Sequence, residues 1–271
     1  MSKYDLIAFD MDGTLLSSSK QILPESLDAI HRAALAGKTV ALSTGRNPAE
    51  LVMFREELRE VPFIICDSGA RVCAWHRGET LYARAIPEET VRTVLELTAG
   101  AGIMVQLLSD ESVVQADRIP HMAEYNMAVY QPMYEQYATG VEDIAGYYAA
   151  RPFPVYKLNL HCRSHEEREH YRQLVAPLGL QLVFSEHTSL ECSARGVSKG
   201  SGLRQLCASL GIPVERSIAV GDADNDLDIL RTAGLAVAMG NANERVRAIA
   251  DVIVGDNNHG GCAQAIDQFL L

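Results

Sequence analysis

The chain has 271 residues, 48% hydrophobic and 22% charged, with 24 Lys and Arg against 35 Asp and Glu for a formal net charge of −11. That composition excludes a predominantly disordered chain, and no apolar run approaches the roughly 18 residues that span a bilayer. Nucleic acid and anionic membrane surfaces are excluded as partners too. Residues 84–189 carry 8 basic and 14 acidic side chains and the rest carry 16 and 21, so neither part has the basic cluster such partners require.

The opening residues, Met1 to Asp12, hold a short apolar stretch broken by Asp5 and Asp10, which does not read as a signal peptide. Tyr4 to Phe9 reads as a buried strand, and Pro24 to Ala36 as a helix with Leu27, Ile30, Ala34 and Leu35 on one face and Gly37 just beyond its end. Thr39 to Ser43 is a second strand. Asn47, Pro48 and Glu50 supply an N-cap, a first-turn proline and a capping-box acid, predicting a helix that runs toward Leu58. Val61 to Cys66 is a third strand, followed by a hairpin of Arg71–Trp75 and Glu79–Ala83 turning at Arg77-Gly78.

Between about Arg84 and Ser189 the pattern changes to a helix, a strand pair, short helices, an alternating strand from Pro154 to His161, a helix capped by Ser164, and a strand at Leu180 to Phe184. Eight of the ten tyrosines fall here, and they read mainly as packing, with one or two available to line a pocket. The earlier rhythm then resumes. Ser198 caps a helix ending at Gly211, Ser217 to Val220 is a strand, Asp226 to Thr232 a helix, and Leu235 to Met239 a strand. Asn243 caps a helix, Asp251 to Val254 is a strand, and Gly261 to Leu271 a closing helix. The prediction is therefore an α/β fold: a Rossmann-like parallel-sheet core formed by residues 1–83 and 190–271, with an α+β cap domain, 84–189, inserted into it.

Six cysteines without a C-x-x-C pair read as buried small hydrophobes of a reducing cytoplasm. His161, His165 and His170 lack the spacing of a metal site.

Chemistry concentrates at strand ends. Asp10-Met11-Asp12-Gly13-Thr14 follows the first strand, placing two carboxylates where both can face one crevice at the sheet's carboxyl edge. A carboxylate there can attack phosphorus, and its neighbour can protonate a leaving alkoxide and later take a proton from water. Gly221-Asp222-Ala223-Asp224-Asn225-Asp226 ends another strand, and Asp222 is placed to join Asp10 around Mg²⁺, with Asn225 and Asp226 a turn later. The alternating acids lack the glycine and terminal glutamate of a calcium-binding EF-hand loop. Ser43-Thr44-Gly45-Arg46 couples a hydroxyl with backbone N–H groups at a strand-to-helix junction, an arrangement suited to an anion. Lys199 begins a helix, where a cation opposes the helix dipole, which points to a phosphate partner.

These four segments, in this order, resemble the motifs of the haloacid dehalogenase-like superfamily of aspartate-nucleophile phosphatases. The large insertion, together with Val237-Ala238-Met239-Gly240-Asn241-Ala242 and Gly260-Gly261-Cys262-Ala263, is similar to the Cof-type branch, sugar-phosphate and related phosphatases with a type IIB cap. The resemblance implies Asp10 as nucleophile and Mg²⁺ ligand, and Asp12 as acid and base that also ligates the metal through its carbonyl. It implies phosphoryl binding by Thr44 and Lys199 and phosphate contact by Asn225, with Gly45 and Arg46 in the same binding segment. Asp222 would ligate Mg²⁺ and Asp226 support the metal site. Two departures stand out: Ser68-Gly69-Ala70 where the family usually has Asn-Gly-Ala, and Asn258-His259-Gly260 where it often has an acidic pair.

The resulting expectation is a cytoplasmic, Mg²⁺-dependent phosphatase of small phosphorylated metabolites, most of all sugar phosphates, with substrate held between core and cap. A phosphomutase or phosphotransferase using the same aspartyl-phosphate and a catalytically silent binding module on this fold are the alternatives. Oligomeric state is left open.

Overall fold

The computed structural model describes residues 3–185 and 188–271. They form two compact units. One comprises Met1–Gly45, Met53–Ala83 and Ser198–Leu271, the other Arg46–Val52 and Arg84–Val197.

The first unit is built on an eight-stranded sheet. From one edge its strands are Val252–Ile253, Leu235–Ala238, Ser217–Gly221, Leu6–Phe9, Thr39–Ser43, Phe63–Cys66, Arg71–Ala74 and Glu79–Ala83. The first six run parallel, and the last two turn back as an antiparallel hairpin. The central segments Leu-Ile-Ala-Phe, Val-Ala-Leu and Ile-Ala-Val are continuous apolar runs because both faces of a parallel sheet are covered. After Leu6–Phe9 the chain first adds strands on one side and later, with Ser217–Gly221, on the other. The strand order therefore reverses between these two neighbours, which is where open α/β sheets form a crevice beyond their carboxyl ends.

Two predicted helices differ in form. The segment from Asn47 contains only the 3-10 helix Ala49–Phe54. Its capping box forms as expected, with Glu50 N–H donating to Asn47 Oδ1 (3.0 Å) and Asn47 N–H to Glu50 Oε2 (3.2 Å). However, Leu51 and Phe54 are buried and Val52 and Met53 exposed, an i, i+3 spacing that suits the tighter helix. The closing helix is α-helical over Gly261–Ala265 and widens to a π-turn over Ile266–Leu270.

The second unit has a six-stranded sheet in the order Gln181–Ser185, Ser189–Ser193, Lys157–His161, Met104–Leu108, Ser112–Gln115 and Ala138–Val141. All neighbours are antiparallel except the last pair. This sheet takes in Ser189–Ser193, so the inserted structure continues past the expected boundary at residue 189. Lys157-Leu158-Asn159-Leu160-His161 alternates strictly. Its leucines go to one face, and Lys157, Asn159 and His161 to the other with Gln106, Glu191 and Ser189.

That polar face is hydrogen-bonded around buried charges, with the Asn159 carboxamide oxygen left without a partner. Lys157 and Glu191 pair at 3.0 Å, and Glu50 Oε1 accepts from Gln106 (2.7 Å) and Ser112 (3.0 Å). Burial raises the Glu50 carboxyl, against the nearby Lys157 ammonium. His161 bonds Ser189 Oγ at 2.7 Å. Burial first and Lys157 second press its pKa down to about 4, with Glu191 opposing. The folded state thus disfavours the imidazolium, and the unfolded chain binds that proton first. Stability is expected to fall as pH drops from about 6.5 toward 4, by up to about 3 kcal/mol at the acid end. Urea midpoints measured across that range should show the drop, and His161→Gln should flatten it; an unchanged slope in the variant removes His161 as its source.

Candidate active site

Two backbone segments meet where the strand order reverses. Asp10 N–H donates to Val220 O (3.0 Å), extending the ladder one residue beyond Leu6–Phe9 and bringing Asp10 beside the Gly221-Asp222 turn. Gly13 allows this approach: its φ is +87°, and a Cβ there would lie 2.4 Å from Asp222 Oδ2. The Thr14 hydroxyl donates to Asp222 Oδ1 at 2.8 Å, locking one segment to the other.

Lys199 reaches the same point from the start of the helix Lys199–Leu210, whose N-cap Ser198 forms a reciprocal box with Ser201. The lysine is buried, with Nζ 2.5 Å from Asp10 Oδ1 and 2.6 Å from Asp226 Oδ1. Burial alone lowers an ammonium's pKa, but Asp10 and then Asp226 outweigh it and hold Lys199 above its ordinary range. This explains a cation at a position the helix dipole disfavours: two carboxylates neutralise it. Close packing supports the helix start, since a Cβ on Gly69 (φ +97°) would lie 1.9 Å from Ser198 O. Asp67 and Ser68 share the left-handed conformation, at φ 50° and 57°, and a buried Asp67–Arg71 ion pair at 2.6 Å braces the loop. Asn is more at ease there than Ser, so the Ser68 departure is a strained one.

Asp10, Asp222 and Asp226 lie with carboxylate oxygens within 4.8 Å of one another. Burial, then Asp226, raises Asp10 well above the usual carboxylate range against the pull of Lys199. Burial and Asp226 likewise push Asp222 up to about 6, moderated by the Thr14 hydroxyl. When all three ionise, the carboxylates exceed the one ammonium by two negative charges on hard oxygen donors, which suits a divalent cation such as Mg²⁺. Asp226 is the most committed of the three. Its Oδ2 accepts from the Asp222 and Ala223 amides (3.0 and 3.2 Å) while Oδ1 accepts from Lys199. It organises the turn and the lysine. Asn225 has a buried carboxamide oxygen with no hydrogen-bond partner.

The remaining expected residues are placed differently. Thr44 is buried at the carboxyl end of the strand beside Leu6–Phe9. Its backbone N–H donates to Ile65 O (2.8 Å) and its carbonyl accepts from Ser68 N–H (3.0 Å). Strand pairing therefore consumes the amide that sequence reasoning offered to an anion. Gly45 closes this segment of the first unit. Arg46 groups with the second unit, its guanidinium 3.2 Å from Met133 Sδ and over the Tyr130 ring. Asp12 stands outside the carboxylate cluster, with Oδ1 2.6 Å from Lys20 Nζ. Thr14 and Lys20 had no assigned role in the sequence. Thr14 was legible only as part of its motif, and Lys20 depends on a chain reversal that no spacing announces.

All six cysteines are buried and free, and no helix among the described residues is long and apolar enough to cross a membrane. Residues 7–266 match a family described as haloacid dehalogenase-like hydrolase. The chain is 30% identical over 273 residues to the pyridoxal phosphate phosphatase YbhA of Escherichia coli, with 98% of each chain covered. It is 27% identical to the HMP-PP phosphatase of Serratia proteamaculans, covering 91% of this chain and 87% of that one. A solved haloacid dehalogenase-like hydrolase from B. subtilis superposes with a TM-score of 0.87 at 26% identity, covering 97% of this chain and 99% of the other.

Proposed function

We propose that this chain, which belongs to the haloacid dehalogenase-like hydrolase family, hydrolyses phosphomonoesters of small metabolites through an aspartyl-phosphate on Asp10. It is a phosphoric monoester hydrolase of that family. The observation that carries the mechanistic reading is the junction of Asp10, Lys199 and Asp222 at the reversal of strand order.

In the first step a carboxylate oxygen of Asp10 bonds to phosphorus as the bond to the leaving oxygen breaks, and that oxygen takes a proton from the Asp12 carboxyl. In the second, Asp12 takes a proton from water, whose oxygen bonds to phosphorus. The phosphorus–Asp10 bond breaks, releasing inorganic phosphate and restoring Asp10. Lys199, drawn to Asp10 and Asp226, is positioned for the phosphoryl oxygens, and the Thr44 hydroxyl and Asn225 carboxamide are assigned to the same group. Asp10 and Asp222, with the Asp12 carbonyl, would hold Mg²⁺, and Asp226 would support them. The cation supplies charge neutralisation on the phosphoryl oxygens. The inserted unit is assigned to substrate selection, and sugar phosphates are the preferred class.

Phosphate release from a panel of phosphorylated metabolites tests the substrate class directly. Chelation is expected to remove at least 100-fold of the activity and Mg²⁺ to restore it. Activity indifferent to chelator overturns the metal assignment, and a product phosphorylated on a second acceptor overturns the hydrolase.

A further inference from the structure

We propose that Lys20 is a positioning residue for the carboxyl of Asp12, an inference that rests on the reading of Asp12 as acid and base. Asp12 and Lys20 belong to one compact segment beyond the first strand, in which Leu16 bridges both Asp12 and Ile22. Within it the chain reverses sharply. Lys20 N–H donates to Ser17 O (2.9 Å), and Ser17 N–H donates to Gln21 O (2.9 Å). The reversal puts Lys20 in the left-handed region, with φ +60°. Glycine or asparagine suits such a position, and a long unbranched cation gains nothing from it conformationally.

The lysine returns across the loop, with Nζ 2.6 Å from Asp12 Oδ1. Both side chains are partly exposed, at 33% and 27%. An ion pair that wet contributes little stability, less than a non-glycine residue in this conformation typically forfeits. Stability therefore does not account for a lysine at this corner, and the orientation of its partner does.

The hairpin is braced from outside as well. The Asn257 carboxamide donates to Leu16 O (2.9 Å). Asn258 accepts from Ser18 N–H and donates to Ser18 Oγ, both at 3.0 Å. Asn241 donates to Gly13 O (2.8 Å), tying down the Asp12-Gly13 backbone. Asn257 and Asn258 thus fix the arm that carries Lys20, and the residues replacing the family's usual acidic pair begin within that brace.

A carboxyl that must meet a leaving oxygen in one step and a water in the next gains from being held in one rotamer, since displacement of about 1 Å can cost on the order of 100-fold in rate. The decisive variant is Lys20→Gly, which relieves the left-handed conformation while deleting the ammonium. Its thermal midpoint is expected to equal or exceed that of the parent. The rate of its first step, read as leaving-group release in a single turnover, should nonetheless fall at least 10-fold on an alkyl phosphomonoester, and less than 3-fold on p-nitrophenyl phosphate, whose leaving group departs without a proton. Lys20→Arg should recover most of the loss. In an Asp12→Asn background, Lys20→Gly should change the residual p-nitrophenyl phosphate turnover by less than 2-fold, because the group it positions is already gone.

Equal losses on both substrates, full activity of Lys20→Gly, or additive losses in the double variant would overturn the proposal while leaving Asp12's role intact. Unimpaired alkyl phosphate hydrolysis by Asp12→Asn alone would instead remove the reading on which the proposal rests.

Discussion

Asp10→Asn is expected to lose at least about 10⁴-fold in kcat while remaining folded with an unchanged or higher thermal midpoint. The two halves of that result have separate causes. An amide nitrogen or oxygen cannot attack phosphorus as a carboxylate does, so no acyl-phosphate forms. Stability moves the other way because the folded site disfavours the Asp10 charge. Burial first, and Asp226 next, raise its pKa against the opposition of Lys199. A carboxyl raised in the folded state costs stability once the pH is high enough to ionise it, so a neutral side chain of the same shape relieves that cost at neutral pH. Lys199 keeps its second partner, Asp226, at 2.6 Å. Steady-state phosphate release and a thermal melt in chelator check both halves. Activity within 10-fold of the parent excludes Asp10 as the nucleophile. A steep fall in midpoint shows that the carboxylate was holding the site together.

The sequence exposes the catalytic sheet clearly because its strands are buried on both faces and end in unmistakable polar turns. Leu6–Phe9, Thr39–Ser43 and Ser217–Gly221 are apolar runs followed by Asp10, Thr44 and Asp222 respectively, and a parallel sheet leaves few other places for such turns to converge. The inserted unit was less legible. Ser189–Ser193 mixes Ser, Leu, Glu and Cys, and its polar members read as loop until Glu191 is seen paired with Lys157 across the sheet. Ala138–Val141 holds a glycine in its middle and depends on Ser112–Gln115 for definition. At the site, motif spacing named Asp10, Lys199, Asp222 and Asp226, which gather, but not how each is spent. It could not foretell that Thr44's amide would go to Ile65, that Asp226 would be saturated by two amides and a lysine, or that Lys20 would fold back on Asp12. Those outcomes depend on backbone direction after each strand, which three or four residues decide and no periodicity encodes.

Lys199→Met should be the most destabilising single change in the site, lowering stability by roughly 3–5 kcal/mol. The substitution keeps the unbranched stem within the buried helix start, so little packing is lost. It removes the ammonium that lies 2.5 Å from Asp10 and 2.6 Å from Asp226, leaving three carboxylates within 4.8 Å and no internal cation among them. Breaking a buried pair from one side costs more than the pair contributes, because the charge left behind has already lost its water. For a chain of this size the thermal midpoint is expected to fall by roughly 10 °C. The same excess charge predicts a compensating effect of metal: Mg²⁺ should raise the midpoint of Lys199→Met more than it raises that of the parent, since a cation bound to the folded state stabilises it by mass action. Activity should remain at least 100-fold down even with Mg²⁺ saturating, because in the proposed mechanism Lys199 is a donor to the phosphoryl oxygens that the metal does not replace. An unchanged midpoint in chelator would mean that Asp10 and Asp226 do not need the lysine to remain buried together. A parent-like response to Mg²⁺ would mean that the cation does not bind among these carboxylates.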